Sequence, residues 1–223
     1  MRVAQLVPWG AVLSGFAASP TSAAPNADTS VYHDSETGFT FTQYNGKYTL
    51  NNAAITFRVA VPSGVPANTN FDVVLQIVAP RDVGWAGLAW GGGMTQNPLA
   101  AAWGTSTGAI ISSRWATGHY LPQAYAGSTY QIFKKGTKNN GTHWQVTAKC
   151  SGCTSYAYGS SSIISRLSPT GSNRFAFAYS ALKPSNPSLN TSDFGEHSVI
   201  GYWNHDFGSA ANPSFTSLVA KNL

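Results

Sequence analysis

Short apolar segments that alternate with polar residues, each closed by turn formers, constrain this chain most strongly. In AITFRVAVP, apolar Ile55, Phe57, Val59 and Val61 recur at every second position, which is the period of a half-buried strand. FDVVLQIVAP, GAIISSRW, STYQIFKK, THWQVTAKC, RFAFAYS and HSVIGYW continue the pattern, and the first of these is apolar enough for a central strand. No stretch shows a helical period of ten or more residues, although NPLAAAWG is compatible with a helical turn. We predict an all-β fold, a sandwich of two antiparallel sheets.

The first residues have the features of a secretory signal. Arg2 provides a positive start, residues 7–18 form a modest apolar stretch, and TSAAP supplies small residues for cleavage. We predict a signal peptide over residues 1–23 and one mature domain over residues 24–223. The apolar stretch is too short to cross a bilayer, so we predict a secreted, extracellular protein without a membrane span. Two glycosylation acceptor triplets, at Asn140 and Asn190, agree with that compartment.

Charge and cysteine content narrow the possible functions. The formal net charge is +5, and Lys134, Lys135 and Lys138 form the basic cluster, which is either a solvated loop or a docking patch. No nucleic-acid recognition motif accompanies the charge, so we expect no nucleic-acid partner. Cys150 and Cys153 are the only cysteines. A local disulfide is the default for a secreted chain, with a redox or metal role as the alternative.

One methionine occupies an unusual position. Met94 follows three glycines at positions 91–93 and precedes Thr95 and Gln96, whereas a packing methionine normally lies in an apolar run. Glycines allow a bulky flat group to approach the backbone, and a thioether is a soft ligand for iron or copper. The alternative is that Met94 packs under a loop.

Two further stretches carry candidate site residues. In SALKPSNPSLNTSDFGEH, a long polar loop ends at His197, where an apolar strand begins, so His197 is either a pocket residue or a hydrogen-bonded structural one. His205, beside Asp206, is predicted to lie exposed in a turn. SSRWATGHYLPQAY groups an arginine, a tryptophan, a histidine and two tyrosines, which suit a flat cofactor, a sugar-stacking surface or an aromatic core.

Several other chemistries lack their motifs. The chain contains no glycine-rich phosphate loop, no G-x-S-x-G elbow and no H-E-x-x-H sequence. Thr154 follows the second cysteine, where a covalently attached haem would need histidine. The predicted start of the mature chain is not histidine, which excludes a copper oxygenase that uses an amino-terminal histidine.

Taken together, these motifs resemble a known family. GFTFTQY, GLAWGGGM, SSRWATG followed by PQAY, THW, CSGCT and FGEH occur in the order found in the haem b cytochrome domain of secreted fungal cellobiose dehydrogenases and related iron-reductase-type cytochromes. Each motif is weak alone, whereas the ordered set is specific and covers nearly the whole mature chain.

The resemblance implies a fold, a cofactor and a ligand set. The fold is an immunoglobulin-like β-sandwich with a haem pocket at one end. The cofactor is noncovalent haem b, and by motif its axial ligands are Met94 and His197. Cys150 and Cys153 match the family's disulfide. The remaining cofactor-binding residues that the match implies are Gly93, Trp115, His119, Tyr120 and Ile200.

The chain departs from the family at two places. The family often has a tyrosine after RWATG that reaches a haem propionate, whereas this chain has His119 followed by Tyr120, and either side chain is able to take that role. After the ligand histidine the family commonly has an acid and a phenylalanine, whereas Val199 and Ile200 stand here, which makes that wall more aliphatic.

The resemblance implies an extracellular electron carrier or reductase-like relay that does not itself transform a substrate, with ferric reductase activity as the enzymatic alternative. We expect a monomer that takes single electrons from a flavin dehydrogenase or a small reductant and passes them to a copper polysaccharide monooxygenase or to ferric iron. The chain carries no dinucleotide fingerprint, so we do not expect it to oxidise cellobiose itself. Seven tryptophans and ten tyrosines favour an alternative, a secreted carbohydrate-binding or cell-wall-binding sandwich without haem.

Overall fold

The computed structural model describes residues 28–159 and 162–223, so the predicted signal peptide lies outside the described residues. In chain order, the strands are β1 (Ser30–His33), β2 (Thr40–Lys47), β3 (Ala54–Pro62), β4 (Val73–Pro80), β5 (Trp85–Ala89), β6 (Leu99–Gly104), β7 (Ala109–Trp115), β8 (Gln123–Ala124), β9 (Thr129–Ile132), β10 (Lys138–Asn139), β11 (His143–Ser151), β12 (Ser155–Ala157), β13 (Ile164–Arg166), β14 (Ser172–Ser180), β15 (Val199–Asp206) and β16 (Ala211–Asn212). A 3-10 turn at Gly208–Ala210 precedes β16, and the helix α1 (Phe215–Asn222) follows it.

Two large sheets form the sandwich. The first has the order β1-β2-β3-β4-β11-β10, with β9 beside β11 and β16 beside β3, and the second has the order β15-β14-β5-β6-β7-β8. All neighbours within the two sheets are antiparallel except β16 and β3. The prediction of an all-β, immunoglobulin-like sandwich is confirmed. FDVVLQIVAP supplies β4, which lies between β3 and β11 as a central strand.

The main core lies between the facing sides of the two sheets. Phe57, Leu75 and Ile77 of the first sheet meet Leu88 and Phe175 of the second, and all five are almost fully buried. A second cluster lies under α1, where Phe215 contacts Phe39 at a ring-centroid distance of 5.6 Å. None of the helices among the described residues is long and apolar enough to cross a membrane.

The interpretation of NPLAAAWG as a helical turn is wrong. Leu99–Gly104 forms β6, which is paired with β5 on one side and with β7 on the other. Alanine favours helices in isolation, but both edges of this segment have strand partners that satisfy its backbone groups, and this tertiary pairing outweighs the propensity.

The predicted exposure of His205 is also wrong. His205 lies near the end of β15 and its side chain is fully buried. Its Nδ1 accepts a hydrogen bond from Trp203 Nε1 at 2.9 Å, and its Nε2 lies 3.0 Å from Thr42 Oγ1. The Thr42 hydroxyl donates to the Asp206 carbonyl, so Nε2 carries the proton and the imidazole is neutral. Burial lowers the pKa of His205 to about 3.

This buried imidazole predicts acid sensitivity. The unfolded chain protonates His205 near its ordinary pKa of 6.5, whereas the folded chain resists protonation until about pH 3. The neutral ring therefore stabilises the fold above pH 6.5, and this contribution is lost as the pH falls from 6.5 towards 3. The loss of unfolding free energy between pH 7 and pH 4 should be smaller in His205→Gln by on the order of 3 kcal/mol. Denaturant unfolding at the two pH values measures the difference.

The matched control for this prediction is His143→Gln, which changes an exposed histidine. It should keep the wild-type difference between the two pH values. Equal pH dependence in the wild type and in His205→Gln would contradict the assignment.

Candidate functional site

A cavity of about 460 Å³ lies against the six-stranded sheet, on the face turned away from the sandwich core. Successive side chains of a strand point to opposite faces, and Leu88, Ala100 and Phe177 belong to the core. Their strand neighbours therefore point outwards and form the floor of the cavity. The floor residues are Gly87, Ala89, Ala101, Ala176 and Ala178.

The strand register makes this floor flat. Gly87 pairs with Ala178 on one side and with Ala101 on the other, and Ala89 pairs with Ala176. A Cβ atom at Gly87 would lie 3.1 Å from the ring of Trp85, so glycine leaves room for this indole beside the floor. Small side chains on adjacent strands leave a shelf that suits a planar molecule. The volume lies within the range of small-molecule sites.

Met94 enters the cavity from the turn between β5 and β6. This turn begins at Trp90, whose amide donates to the Pro98 carbonyl at 3.1 Å. Gly92 has a φ of 73°, in the left-handed region that glycine adopts without strain. A Cβ atom there would approach Arg174 to 2.8 Å, so glycine is required for close packing as well. Met94 is half-buried and lines the cavity.

His197 enters the same cavity from the loop between β14 and β15. The side chain of Phe194 anchors this loop, with ring-centroid distances of 4.7 Å to Trp85 and 6.2 Å to Trp103. Trp103 Nε1 also donates to the Pro187 carbonyl at 2.9 Å. Directly after His197, the amide of Ser198 donates to the Tyr179 carbonyl at 2.8 Å. His197 therefore lies between two fixed points of an otherwise irregular loop.

Arg114, on β7, connects two loops that frame the cavity. Its Nη2 donates to the carbonyls of Asn190 (3.2 Å) and Ser192 (2.7 Å) in the His197 loop, and its Nη1 donates to the Pro122 carbonyl (3.2 Å). Its Nε donates to Ser112 Oγ at 2.7 Å. Burial lowers the pKa of Arg114, an effect that nearby Asp193 opposes, but a guanidinium keeps its charge in proteins. The cavity wall therefore contains a buried cation whose hydrogen-bond acceptors are neutral.

The predicted site residues divide into two groups. The structure brings six of them to the cavity wall: Gly93, Met94, His119, Tyr120, His197 and Ile200. Trp115 is the exception, because its neighbour Arg114 takes the outward face of β7 and the indole points the other way. Trp115 stacks on Tyr125 at a centroid distance of 4.7 Å and is not part of the cavity lining. Its expected role as a cofactor-binding residue stays a prediction.

The remaining predicted positions lie outside the cavity lining. Cys150 and Cys153 are joined by a disulfide at the end of β11. Asn140 lies exposed in the turn between β10 and β11, and Asn190 lies exposed in the His197 loop. Of the tryptophans in the described residues, five are buried and Trp115 is half-buried. The tryptophans of the described residues therefore offer no fully exposed indole for stacking on a sugar, whereas Tyr120, Tyr158 and Tyr202 are exposed.

Sequence reasoning missed the floor, Arg114 as a specific contact, and the Phe194 anchor. The signal for the floor is present in the sequence, because small residues occupy alternate positions of β5 and β14, at 87, 89, 176 and 178. This pattern indicates a floor only when it is known that β5 and β14 pair with each other. Phe194 and Arg114 carry no local signal that separates them from ordinary core residues.

Several features of the cavity fit a flat cofactor that carries carboxylates and a metal. The floor is planar, Met94 and His197 provide a thioether and an imidazole, and Arg114 provides a buried positive charge. Trp85 lines the cavity with 4% of its surface exposed, and its indole N–H finds no acceptor among the described residues. A carboxylate would satisfy such a donor. The donor set and the shape therefore agree with a haem.

Comparison with known proteins shows the family. The family model for the cytochrome domain of cellobiose dehydrogenase matches residues 32–217, and the chain belongs to this family. A pyrroloquinoline quinone-dependent pyranose dehydrogenase from Coprinopsis cinerea is 33% identical over 181 residues, which is 80% of this chain and 24% of that protein. The chain thus spans about a quarter of the length of this curated relative.

Two solved structures share the fold. The cytochrome domain of Myriococcum thermophilum cellobiose dehydrogenase superposes with a TM-score of 0.77 at 26% identity, covering 89% of this chain and 98% of that one. The cytochrome b domain of pyranose dehydrogenase from Coprinopsis cinerea gives 0.73 at 26% identity, with coverages of 86% and 94%. Membership of this family implies a haem cofactor and haem-based electron transfer.

The position of Arg114 predicts how its loss acts. Arg114→Ala removes the donors that hold Asn190, Ser192 and Pro122, and should lower the unfolding free energy by about 3 kcal/mol. The His197 loop should also become the first site of cleavage in limited proteolysis. The control is Arg58→Ala, since Arg58 donates to Gln43 and Gln76 in the other sheet. If both variants are cleaved at the same sites, Arg114 does not hold this loop.

Proposed function

We propose that this chain is an extracellular electron-transfer domain that binds haem b noncovalently, with Met94 and His197 as the axial ligands. The observation that carries the proposal is that two side chains far apart in the sequence line one flat-floored cavity. When bound, the haem supplies reversible one-electron exchange between ferric and ferrous iron. The residues of this chain supply its binding, its orientation and its electrostatic surroundings.

The two ligands determine what kind of redox site this is. A thioether is a soft donor and favours ferrous iron, so methionine opposite histidine raises the reduction potential. The buried charge of Arg114 acts in the same direction, because a nearby cation favours the state that holds one more electron. If both Met94 and His197 bound the iron, no open position would remain for a substrate. These residues therefore suit a carrier better than a catalyst.

The rest of the wall suits the edges of the porphyrin. The floor offers a shelf for the ring, and Ile200 contributes an aliphatic wall. His119 and Tyr120 are both exposed at the cavity, so either side chain is placed to donate to a propionate from the solvent side. The indole N–H of Trp85 is a further candidate donor on the inner side.

We infer the partners from the relatives and from the type of site. Because this chain matches about a quarter of a sugar dehydrogenase, the electron donor that we propose is a sugar-oxidising dehydrogenase, flavin-dependent or quinone-dependent. The acceptors that we propose are a copper polysaccharide monooxygenase or ferric iron. The signal-like residues 1–23 and the acceptor triplets at Asn140 and Asn190 support a secreted glycoprotein.

The ligand assignment predicts a spectrum. Protein expressed with ample haem should show the sharp α and β bands of a six-coordinate b haem after reduction. Met94→Ala should convert the ferric form to high spin and lower the potential by on the order of 100 mV, a part of the range that axial ligands span. Optical titration of the potential measures this. A wild-type preparation without a Soret band would overturn the proposal.

The floor predicts a way to exclude the cofactor without unfolding the domain. Gly87→Leu places a branched side chain on the shelf and should reduce haem binding at least tenfold, while the far-ultraviolet circular dichroism stays that of a β-sandwich. The control is Ala157→Leu, which adds the same bulk at an exposed strand position outside the cavity lining. Haem titration into the apoproteins measures both. Unchanged affinity in Gly87→Leu would show that the ring does not lie on this floor.

A further inference from the structure

One buried side chain spans the turn that carries Met94. Asn97 Oδ1 accepts a hydrogen bond from the amide of Gly91 at 2.8 Å. Its Nδ2 donates to the carbonyls of Gly93 at 2.8 Å and of Thr95 at 2.9 Å. These two carbonyls belong to the residues on either side of Met94, so a single amide fixes the backbone before and after the thioether.

The burial of Asn97 makes these bonds effective. Its side chain is 3% exposed, so water does not compete for the three bonds. The three partners also define which way the side-chain amide of Asn97 is turned. Its oxygen must face the N–H of Gly91, and its NH₂ group must face the two carbonyls. Asn97 therefore has all of its bonding groups directed at this turn.

The turn needs such a support. Three successive glycines precede Met94, and glycine loses more conformational freedom on folding than any other residue. Three backbone bonds also hold the turn, from Trp90 to the Pro98 carbonyl (3.1 Å), from Gly92 to the Ala89 carbonyl (3.2 Å) and from Gln96 to the Ala116 carbonyl (2.9 Å). Asn97 adds bonds to the carbonyls of the two residues directly next to Met94.

On the basis of the proposed function, we propose that Asn97 is the positioning residue that holds Met94 in its ligating conformation. Asn97 does not line the cavity, so it acts through the backbone of the turn and not by touching the haem. A glycine-rich turn loses conformational entropy when its thioether binds iron. Asn97 reduces this loss, because it orders the turn before the iron binds.

The effect of removing Asn97 should differ between the two oxidation states. The cost of ordering the turn is the same for both, but thioether sulfur binds ferric iron more weakly than ferrous iron. The ferric form should therefore release Met94 first. Because release stabilises only the oxidised state, the reduction potential should fall, and an added ligand should bind the ferric iron more readily.

The test compares two buried asparagines in the haem-loaded protein. Asn97→Ala should raise the affinity of the ferric form for imidazole about ten- to hundredfold, since the loss of three hydrogen bonds weakens the competing thioether. Ferric absorption should also shift towards high spin before imidazole is added. Optical titration with imidazole at fixed pH measures the affinity.

The matched control is Asn212→Ala. Asn212 is 5% exposed, accepts from the amide of Thr40 at 2.9 Å and donates to the carbonyls of Thr40 (2.8 Å) and Ala210 (2.7 Å), all near the eight-stranded sheet. Both variants should melt at lower temperature, but Asn212→Ala should keep the wild-type imidazole affinity and potential. A purely structural role for Asn97 would give two variants that differ from wild type only in stability.

The outcomes separate this inference from the proposed function. A wild type without a methionine–histidine spectrum overturns both. A wild type with that spectrum, together with an Asn97→Ala affinity for imidazole within about twofold of the Asn212→Ala value, overturns the inference alone. If Asn97→Ala does not fold, Asn97→Asp keeps the acceptor for Gly91 and loses both donors. A wild-type imidazole affinity in that variant overturns the inference in the same way.

Discussion

The cavity exists because the two faces of the six-stranded sheet carry side chains of different size. Side chains alternate along a strand, so the large residues that fill the sandwich core, such as Leu88 and Phe175, lie on one face. The opposite face of the central strands carries only glycine and alanine at the floor positions. A flat shelf results because paired strands place these small residues side by side. If the same residues were large, the face would be an ordinary outer surface and no planar cofactor would fit.

The segments that carry Met94 and His197 are both irregular, and buried polar side chains hold both of them through backbone carbonyls. Arg114 binds the carbonyls of Asn190 and Ser192 in the loop before His197, and Asn97 binds the carbonyls that flank Met94. A sheet supplies rigidity, whereas loops supply the freedom to place a ligand at a required point. If Met94 and His197 bind the iron as proposed, these buried bonds would limit how far the two side chains move when the iron changes oxidation state, which would favour fast electron exchange.

Much of the fold follows from local patterns. The alternation in Ala54–Pro62 and the apolar run in Val73–Pro80 identify β3 and the central β4. The alanine-rich Leu99–Gly104 is ambiguous, because its residues favour a helix in isolation and become a strand only between two partners. The burial of His205 is likewise not predictable from its neighbours in the sequence. Its polar neighbours indicate a turn, but a hydrogen bond from Trp203 and the hydroxyl of Thr42 on a distant strand allow the imidazole to be buried.

The sequence by itself determined the class of fold and the family, because strand periodicity and the order of short motifs can be seen without the structure, and it predicted Met94 and His197 as ligands. Only the tertiary structure decided which neighbour in a pair faces the cavity, Arg114 and not Trp115, since that depends on strand register. It also assembled the floor from three strands and gave Arg114 its carbonyl partners in the His197 loop. The physical reason is that these features arise from pairing and docking between distant segments, which no local pattern encodes.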